Sequence, residues 1–354
     1  MDEAFQPTEM NNIDASDDMA DMYLELRDRP IFICGHPKAG TSLVRSIFDF
    51  HPQIIAYPEE TSFFRRYIPL ASEQNINDQL DIADQKIIHI FTWNQESLPQ
   101  SQTGFRDRDY SRISYAEVRK LTRRNIHSNY RHKGDILSAA VLSYGQATGQ
   151  LTSNTKYWLE KSPYNEFFAD QIFDWWSNAT CIHVLRDPRD NYYSYRRKHP
   201  DWSAEFFAFN WNRSTSAGIK NMKRYGRKRY YLLQYENLTQ FPKRTITELA
   251  DFLNISWDET LTRPTRAGIP WIGNSLFEAH FHGISSEPVA RWRDNLSSQD
   301  AAIIETISEE FIEKFRYPFE ATPNENTWQK IATQWRVTSW PVRRRIAKLV
   351  NRNP

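Results

Sequence analysis

The stretch "GHPKAGTS", residues 35–42, sets two glycines, a lysine and two hydroxyls within eight positions. It nearly matches the G-x-x-x-x-G-K-[ST] loop that cradles nucleoside triphosphates. Gly35 and Gly40 have that spacing and Ser42 is in place, but Thr41 stands where the lysine belongs, and the lysine is Lys38 instead. Backbone N–H groups at a helix start bind anions through unpaired donors and the helix dipole. Gly40 lets the backbone approach a ligand closely, and Thr41 and Ser42 add hydroxyl donors. In a triphosphate site the lysine reaches the β- and γ-phosphates and the Ser or Thr holds magnesium. Lys38, in mid-loop, suits the end of a shorter anionic chain, and no acid ends a nearby apolar strand as a clear magnesium ligand. The loop alone therefore fits an adenosine with a 5′-phosphate ester, or a strand-to-helix glycine turn with no ligand.

A second constellation is "VLRDPRDNYYSY", residues 184–195. Arg186 at a strand end and Ser194 in the next helix could meet on one phosphate, the arginine supplying a planar fork and the serine a hydroxyl. Asp187, Pro188 and Asp190 read as turn and N-cap residues. Alone, Arg186 would more often be a surface ion-pair partner. Lys161, in "LEKSP", ends another apolar run.

The elements that must position these residues alternate. "RPIFICG" (29–35) reads as a buried strand and "TSLVRSIFDFHP" (41–52) as a helix stopped by Pro52. "KYWLEKSP" (156–163) reads as a second strand, followed by a helix through "NEFFADQIFDWW". "ATCIHVLRDPRD" (179–190) is a third strand running into a basic turn and then a helix. Residues 203–226 form a long amphipathic helix, "RYYLLQYENL" (229–238) a fourth strand, and "KRTITELADFLNI" (243–255) a helix. Such alternation predicts a doubly wound α/β sheet, and with the 35–42 loop after the first strand the expected class is a three-layer P-loop type with a central, mostly parallel sheet flanked by helices. Ligands in these sheets sit at the carboxyl ends of strands. The 35–42 loop, the Lys161 loop and the Arg186 turn all fall there.

The expected boundaries are an acidic, disordered tail over 1–28, one domain over 29–320 and a basic tail over 321–354. Residues 1–22 carry seven acids and no Lys or Arg. Residues 72–155 read as a polar, mostly helical insertion, either an acceptor lid or plain architecture, with a loop-like stretch at 94–112. Residues 326–354 carry seven Lys/Arg and no acid, with Trp328, Ile331, Trp335, Val342, Ile346 and Leu349 spaced for one helical face broken at Pro341. That tail fits either a peripheral membrane contact or a helix packed on the domain.

Of 354 residues, 45 are Lys or Arg and 44 Asp or Glu. This balance argues neither for nor against nucleic acid, and none is expected as a partner. Aromatic residues make up 14% of the chain, twelve of them Trp, which suits sugars and rings as well as core. Cys34 and Cys181 sit inside apolar runs and are expected as buried, reduced thiols. The His127/His132 and His280/His282 pairs read as ordinary histidines, and no Cys/His spacing suggests zinc. No apolar run of spanning length and no signal-peptide charge pattern is present, so the default compartment is cytoplasmic.

Together, "IFICGHPKAGTSLVRSIFDFHP" and "CIHVLRDPRDNYYSY" resemble the sulfotransferases that use 3′-phosphoadenosine 5′-phosphosulfate (PAPS). The first resembles that family's 5′-phosphosulfate loop and the second its 3′-phosphate motif. "HPQIIAYPEETSFF" (51–64) looks like the segment after the loop in tyrosylprotein, bacterial and carbohydrate enzymes of the group. "LEKSPYN" (159–165) and "GNSLFEAHFHGISSEPVARWRDNLS" (273–297) resemble its Lys-x-Pro stretch and its C-terminal lid. The likeness covers roughly 29–317, without 72–155. One departure is "SSEPVARW", where the small-molecule enzymes carry Arg-Lys-Gly upstream of the lid Trp, so the 3′-phosphate must lean on Arg186 and Ser194.

The resemblance implies PAPS as donor, 3′,5′-adenosine bisphosphate (PAP) as product and no metal. It implies donor contacts from Lys38, Ala39, Gly40, Thr41, Ser42, Leu43, Arg186 and Ser194, with Asn274, Ser275 and Arg291 from the lid. It gives Lys38 the bridging oxygen, Lys161 the sulfonyl oxygens or leaving phosphate, and Glu60, with Glu59 as runner-up, the acceptor proton. Partial desolvation is expected to raise the Glu60 pKa. The acceptor is then a hydroxyl of a carbohydrate, lipid or small metabolite. A tyrosylprotein-type enzyme, a non-catalytic adenosine-bisphosphate-binding module and a kinase or NTPase are the alternatives. Oligomeric state is not readable.

Overall fold

The structure is a computed structural model describing residues 15–94, 96, 98, 108–273 and 283–320, with only the backbone of 15–18. The 321–354 tail, Asn274, Ser275, His280, His282 and most of the 94–112 loop lie outside the described residues.

Five strands form one sheet in the order β2-β3-β1-β4-β5, and every pairing in it is parallel. They are β1 (Pro30–Cys34), β2 (Ile54–Ala56), β3 (Tyr157–Lys161), β4 (Thr180–Leu185) and β5 (Tyr230–Gln234). Alternate side chains of each strand enter different cores, as the two-residue period demands. Phe32, Cys34, Trp158, Cys181 and Tyr230 face one core. Ile31, Ile33, Leu159, Ile182, Val184 and Leu233 face the other. Both cysteines are buried and free.

The first 28 residues are not all an unstructured tail. Helix α1 (Ala15–Leu26) buries Tyr23 and Leu26 in the first core, with Met19 and Met22 packed beside them. These four positions follow the 3-and-4 spacing of a helical face, which the acidic residues between them disguise. The sheet also has a strand the sequence reading lacked: β2 is only three residues long, too short to show a period. The fourth strand is shorter than expected. It ends at Gln234, and helix α10 (Tyr235–Gln240) follows directly.

Helix α2 (Thr41–Ile47) and α11 (Pro242–Leu253) cover the second core. Residues Phe63–Tyr67 form a single wide turn that runs into α3 (Ile68–Ala71). The 72–155 region supplies α4 (Ile76–Lys86), α5 (Tyr115–Asn129) and α6 (Asp135–Ala147). Asn75 caps α4 and Ser114 caps α5 through their side-chain oxygens. These helices pack into the first core through Leu80, Val118, Ile136 and Val141. After α7 (Ala169–Trp175), helix α8 (Pro188–Arg196) is capped by Asp187 with Pro188 at its first position. Ser203 caps α9 (Ala204–Tyr225) and Gly226, at positive φ, ends it. A short hairpin, β6 (Thr265–Arg266) and β7 (Ile269–Pro270), then precedes α12 (Trp292–Asn295), α13 (Ser298–Ile307) and α14 (Glu309–Lys314). No helix among the described residues is long and apolar enough to cross a membrane.

Strand β1 is central. The chain leaves it toward β2 and β3 on one side and reaches β4 and β5 on the other. The crevice between β1 and β4 is thus the switch point where such sheets open a binding site, and the loops bearing Lys38 and Arg186 emerge there.

Candidate active site

A cleft of about 940 Å³ opens at the carboxyl ends of β1, β3 and β4. Lys38, Gly40, Thr41, Ser42, Leu43, Glu60, Arg186, Ser194 and Arg291 line it. Ala39 is an exception among the expected loop contacts, because its side chain is buried in the second core. Only its backbone is left for a ligand.

Two glycines shape the loop. Gly35 leaves β1 with φ 129°, and a Cβ there would meet the Val184 carbonyl oxygen at 2.4 Å. Gly40 caps α2 with φ 104°, and a Cβ there would lie 2.3 Å from the Tyr235 ring. Neither position tolerates a side chain. Lys38 itself sits at φ 67°, a conformation that costs a non-glycine residue free energy. The loop is held from below: Asn191 donates to the Pro37 carbonyl at 2.8 Å, and the Glu166 carboxylate accepts the Gly35 N–H at 3.0 Å.

Several of the expected site residues lie close together. The Lys161 ammonium donates to Glu60 at 2.5 Å and to the Ser42 hydroxyl at 3.1 Å, joining the end of β3 to the loop and to the 58–62 turn. Lys161 is 6% exposed in its side chain and Glu60 44% exposed, so the carboxylate faces the open cleft while its partner is enclosed. Burial pulls the Lys161 pKa down against the opposing pull of Glu60. The expected rise at Glu60 is not found. Desolvation does push its pKa up, but the charge and hydrogen bond of Lys161 outweigh it and the net shift is downward. Lys38 is lowered to about 8, first by burial and then by the neighbouring positive charge of Lys198.

Glu59 has a different task. It accepts from Arg108 Nε at 2.7 Å, Tyr110 Oη at 2.7 Å and Arg266 at 2.9 Å. Burial favours its neutral form, yet Arg266 and Arg108 hold its pKa down to about 2. It fastens the turn beside Glu60.

At the other end, Arg186 Nη1 lies 3.2 Å from the Ser194 hydroxyl and 3.1 Å from the Lys38 carbonyl. Nη2 donates to the Pro288 carbonyl at 2.7 Å, and the guanidinium stacks on Tyr235 at 4.8 Å. Its Nε is buried without a hydrogen-bond partner, a polar atom that an anion at this spot would satisfy. The expected meeting of Arg186 and Ser194 is therefore present in the geometry. Arg291 pairs with Glu287 at the rim.

A family model described as "Sulfotransferase family" matches residues 30–259, which include the loop, Glu60, Lys161, Arg186 and Ser194. The chain belongs to the sulfotransferase family. Among curated relatives, it is 22% identical to protein-tyrosine sulfotransferase A of Caenorhabditis elegans over 235 residues, 65% of this chain and 50% of that one. It is also 22% identical to an uncharacterized protein of Aquifex aeolicus over 277 residues, 75% of this chain and 30% of that one. The chain thus spans half the length of the first relative and under a third of the second. Similar solved structures include the sulfotransferase domain of the Synechococcus PCC 7002 olefin synthase, at 18% identity and TM-score 0.47, over 82% of this chain and 96% of that one. Another is sulfotransferase STF9 of Mycobacterium avium, at 13% identity and TM-score 0.43, over 86% and 81%.

Several residues that shape the cleft carry no motif that sequence reasoning could use. Buried Glu160 accepts from the Thr61 backbone at 3.3 Å and its hydroxyl at 2.7 Å, and from Asn165 at 2.8 Å, fixing the turn after Glu60. Asp190, read as a cap, instead accepts the Ala290 and Trp292 N–H groups at 2.6 and 2.9 Å and so anchors the 285–292 segment beside Arg186. Glu236 accepts the Asp187 N–H at 2.8 Å under the arginine turn, and burial lifts its pKa to about 7.

Proposed function

We propose that this sulfotransferase moves the sulfuryl group of PAPS to an acceptor hydroxyl by in-line transfer, without help from a metal. The observation carrying this reading is one cleft lined by Lys38 and Glu60, with Lys161 bonded to Glu60 and Ser42 at its wall and the Arg186–Ser194 pair at its far end. Arg186 and Ser194 grip the 3′-phosphate, and the unpaired Arg186 Nε gains a partner there. Lys38 neutralises the oxygen between phosphorus and sulfur as that bond breaks. Lys161 faces the sulfonyl oxygens in flight. Glu60 takes the proton of the attacking hydroxyl as the new oxygen–sulfur bond forms, and PAP leaves.

Ion pairing with Lys161 keeps Glu60 ionised before substrates arrive, so the base needs no activation. An anionic donor competes for Lys161, which weakens that pairing and makes the carboxylate more basic when the hydroxyl is in place. The acceptor is a hydroxyl of a carbohydrate, lipid or small metabolite, and the protein works in the cytoplasm.

Calorimetric titration with PAP and with ATP, on the wild type and Arg186→Ala, tests the donor. Tight PAP binding, poor ATP binding and loss in the variant are expected. Preference for ATP, or no binding of either, overturns the reading. Transfer of labelled sulfate from PAPS then tests turnover, and PAP binding without transfer to any acceptor hydroxyl would favour a binding module.

A further inference from the structure

Donor binding accounts for only part of the positive charge in the cleft. Lys38, Lys161 and Arg186 have donor roles in the proposed reaction. Arg65, Arg66, Lys86 and Lys198 line the same cleft and have none. Arg65 and Arg66 follow Glu60 on the segment that carries it, Lys86 ends α4, and Lys198 follows α8. None of the four forms an ion pair among the described residues. Arg65 lies over the Tyr164 ring at 4.8 Å, a cation–π contact rather than an ion pair.

The described carboxylates of the lining do not balance them. Glu59 is taken by Arg108 and Arg266, and Glu60 by Lys161. The whole chain is nearly neutral, with 45 basic and 44 acidic side chains, so the excess is local to this cleft. Charges of one sign along a cleft with low-dielectric walls focus the potential and raise the local concentration of opposite charge. Arg66 and Lys86 are solvent-exposed where they line the cleft that also holds Glu60.

We propose that the acceptor is itself an anion: a hydroxyl compound bearing a carboxylate, phosphate or sulfate near the reacting oxygen, held by Arg65, Arg66 and Lys86. This rests on the sulfotransferase reading of the same site. Such a group makes charge-assisted hydrogen bonds to the two arginines and the lysine, while its hydroxyl lies toward Glu60. The same chemistry could come from an acidic sugar or an acidic phenol, which matched acceptors separate.

The test measures binding to the enzyme–PAP complex, and turnover with labelled PAPS, for two pairs. One pair is 4-nitrophenyl β-D-glucuronide and 4-nitrophenyl β-D-glucoside. The other is 4-hydroxyphenylacetate and its amide. Within at least one pair, the anionic member is expected to bind roughly tenfold more tightly or better, as charge-assisted contacts allow. The pair showing the preference identifies the sugar or the phenol source. The double variant Arg66→Ala/Lys86→Ala should erase that preference and leave PAP affinity unchanged, and a matching PAP affinity shows that it is folded. No preference within either pair, absence of binding included, overturns the proposal. So does a double variant that weakens PAP as much as the anionic acceptor, because the charges would then serve the donor. Failure of the wild type to bind PAP would instead sink the donor assignment.

Discussion

On the proposed donor site, the lowered Lys38 pKa makes PAP binding a proton-uptake reaction. At about 8, against 10.5 for an ordinary lysine, the free protein at pH 9 holds only about a tenth of its Lys38 amines protonated. A phosphate at the loop favours the ammonium and returns the pKa toward the ordinary value. Binding PAP at pH 9 should therefore take up about 0.9 proton at this site, against about 0.1 at pH 7. Affinity should fall by roughly tenfold per pH unit once pH passes about 8.5. Calorimetry of PAP binding in two buffers of different ionisation enthalpy reads the uptake directly. Lys38→Arg is the control: its guanidinium stays charged throughout, so the uptake and the alkaline loss should both disappear, whatever the variant's absolute affinity. PAP affinity that is flat from pH 7 to 9.5, or an uptake unchanged in Lys38→Arg, would refute the argument, since the site would then lack a lysine that burial and Lys198 depress.

Four further outcomes are expected. Glu60→Gln should lower kcat by ~10²–10⁴-fold, the usual range for loss of general base catalysis, with PAP affinity little changed; equal kcat would remove Glu60 from the reaction. Gly40→Ala should abolish PAP binding measured calorimetrically, because the new methyl collides with the Tyr235 ring that supports Arg186. Glu59→Gln should destabilise the protein by about 3 kcal/mol in chemical denaturation near neutrality by leaving Arg108 and Arg266 short of a buried counter-charge; with a folded pKa of about 2, the wild-type contribution is full above about pH 4.5 and fades toward pH 2. Burial raises Glu166 to about 7, so its folded form holds a proton that the unfolded chain releases near 4.5. Stability tied to that proton should decline by up to about 3 kcal/mol as pH climbs from 4.5 to 7, and denaturation of Glu166→Gln should lack that part of the decline.

What the sequence revealed and what it hid follow from distance along the chain. The loop and the arginine turn are local: each packs its glycine or proline, its charged group and its hydroxyl between one strand and one helix, so spacing alone exposes them. Helix α1 was also local, in the stripe of Met19, Met22, Tyr23 and Leu26, but its acids suggested disorder. What sets Glu59 and Glu60 apart could not be read from neighbours in sequence: Arg108 and Arg266 reach one carboxylate and Lys161 the other. The pKa direction at Glu60 likewise needed the 2.5 Å approach of Lys161, since desolvation and pairing push in opposite directions and only geometry shows which is larger. Asp190 looked like a cap because Pro188 is beside it; its partners, Ala290 and Trp292, are about a hundred residues away.

The fastening of Glu59 also bears on the order in which the molecule assembles. Its partners lie 49, 51 and 207 residues along the chain, so the turn that aims Glu60 is completed only when the segment near residue 266 closes back onto it. Contacts of such long sequence separation form late, after local helices and neighbouring strands. On refolding from denaturant, helical circular dichroism should recover ahead of sulfuryl transfer, and the lag should lengthen when Arg266 is replaced by a residue that cannot pair with Glu59.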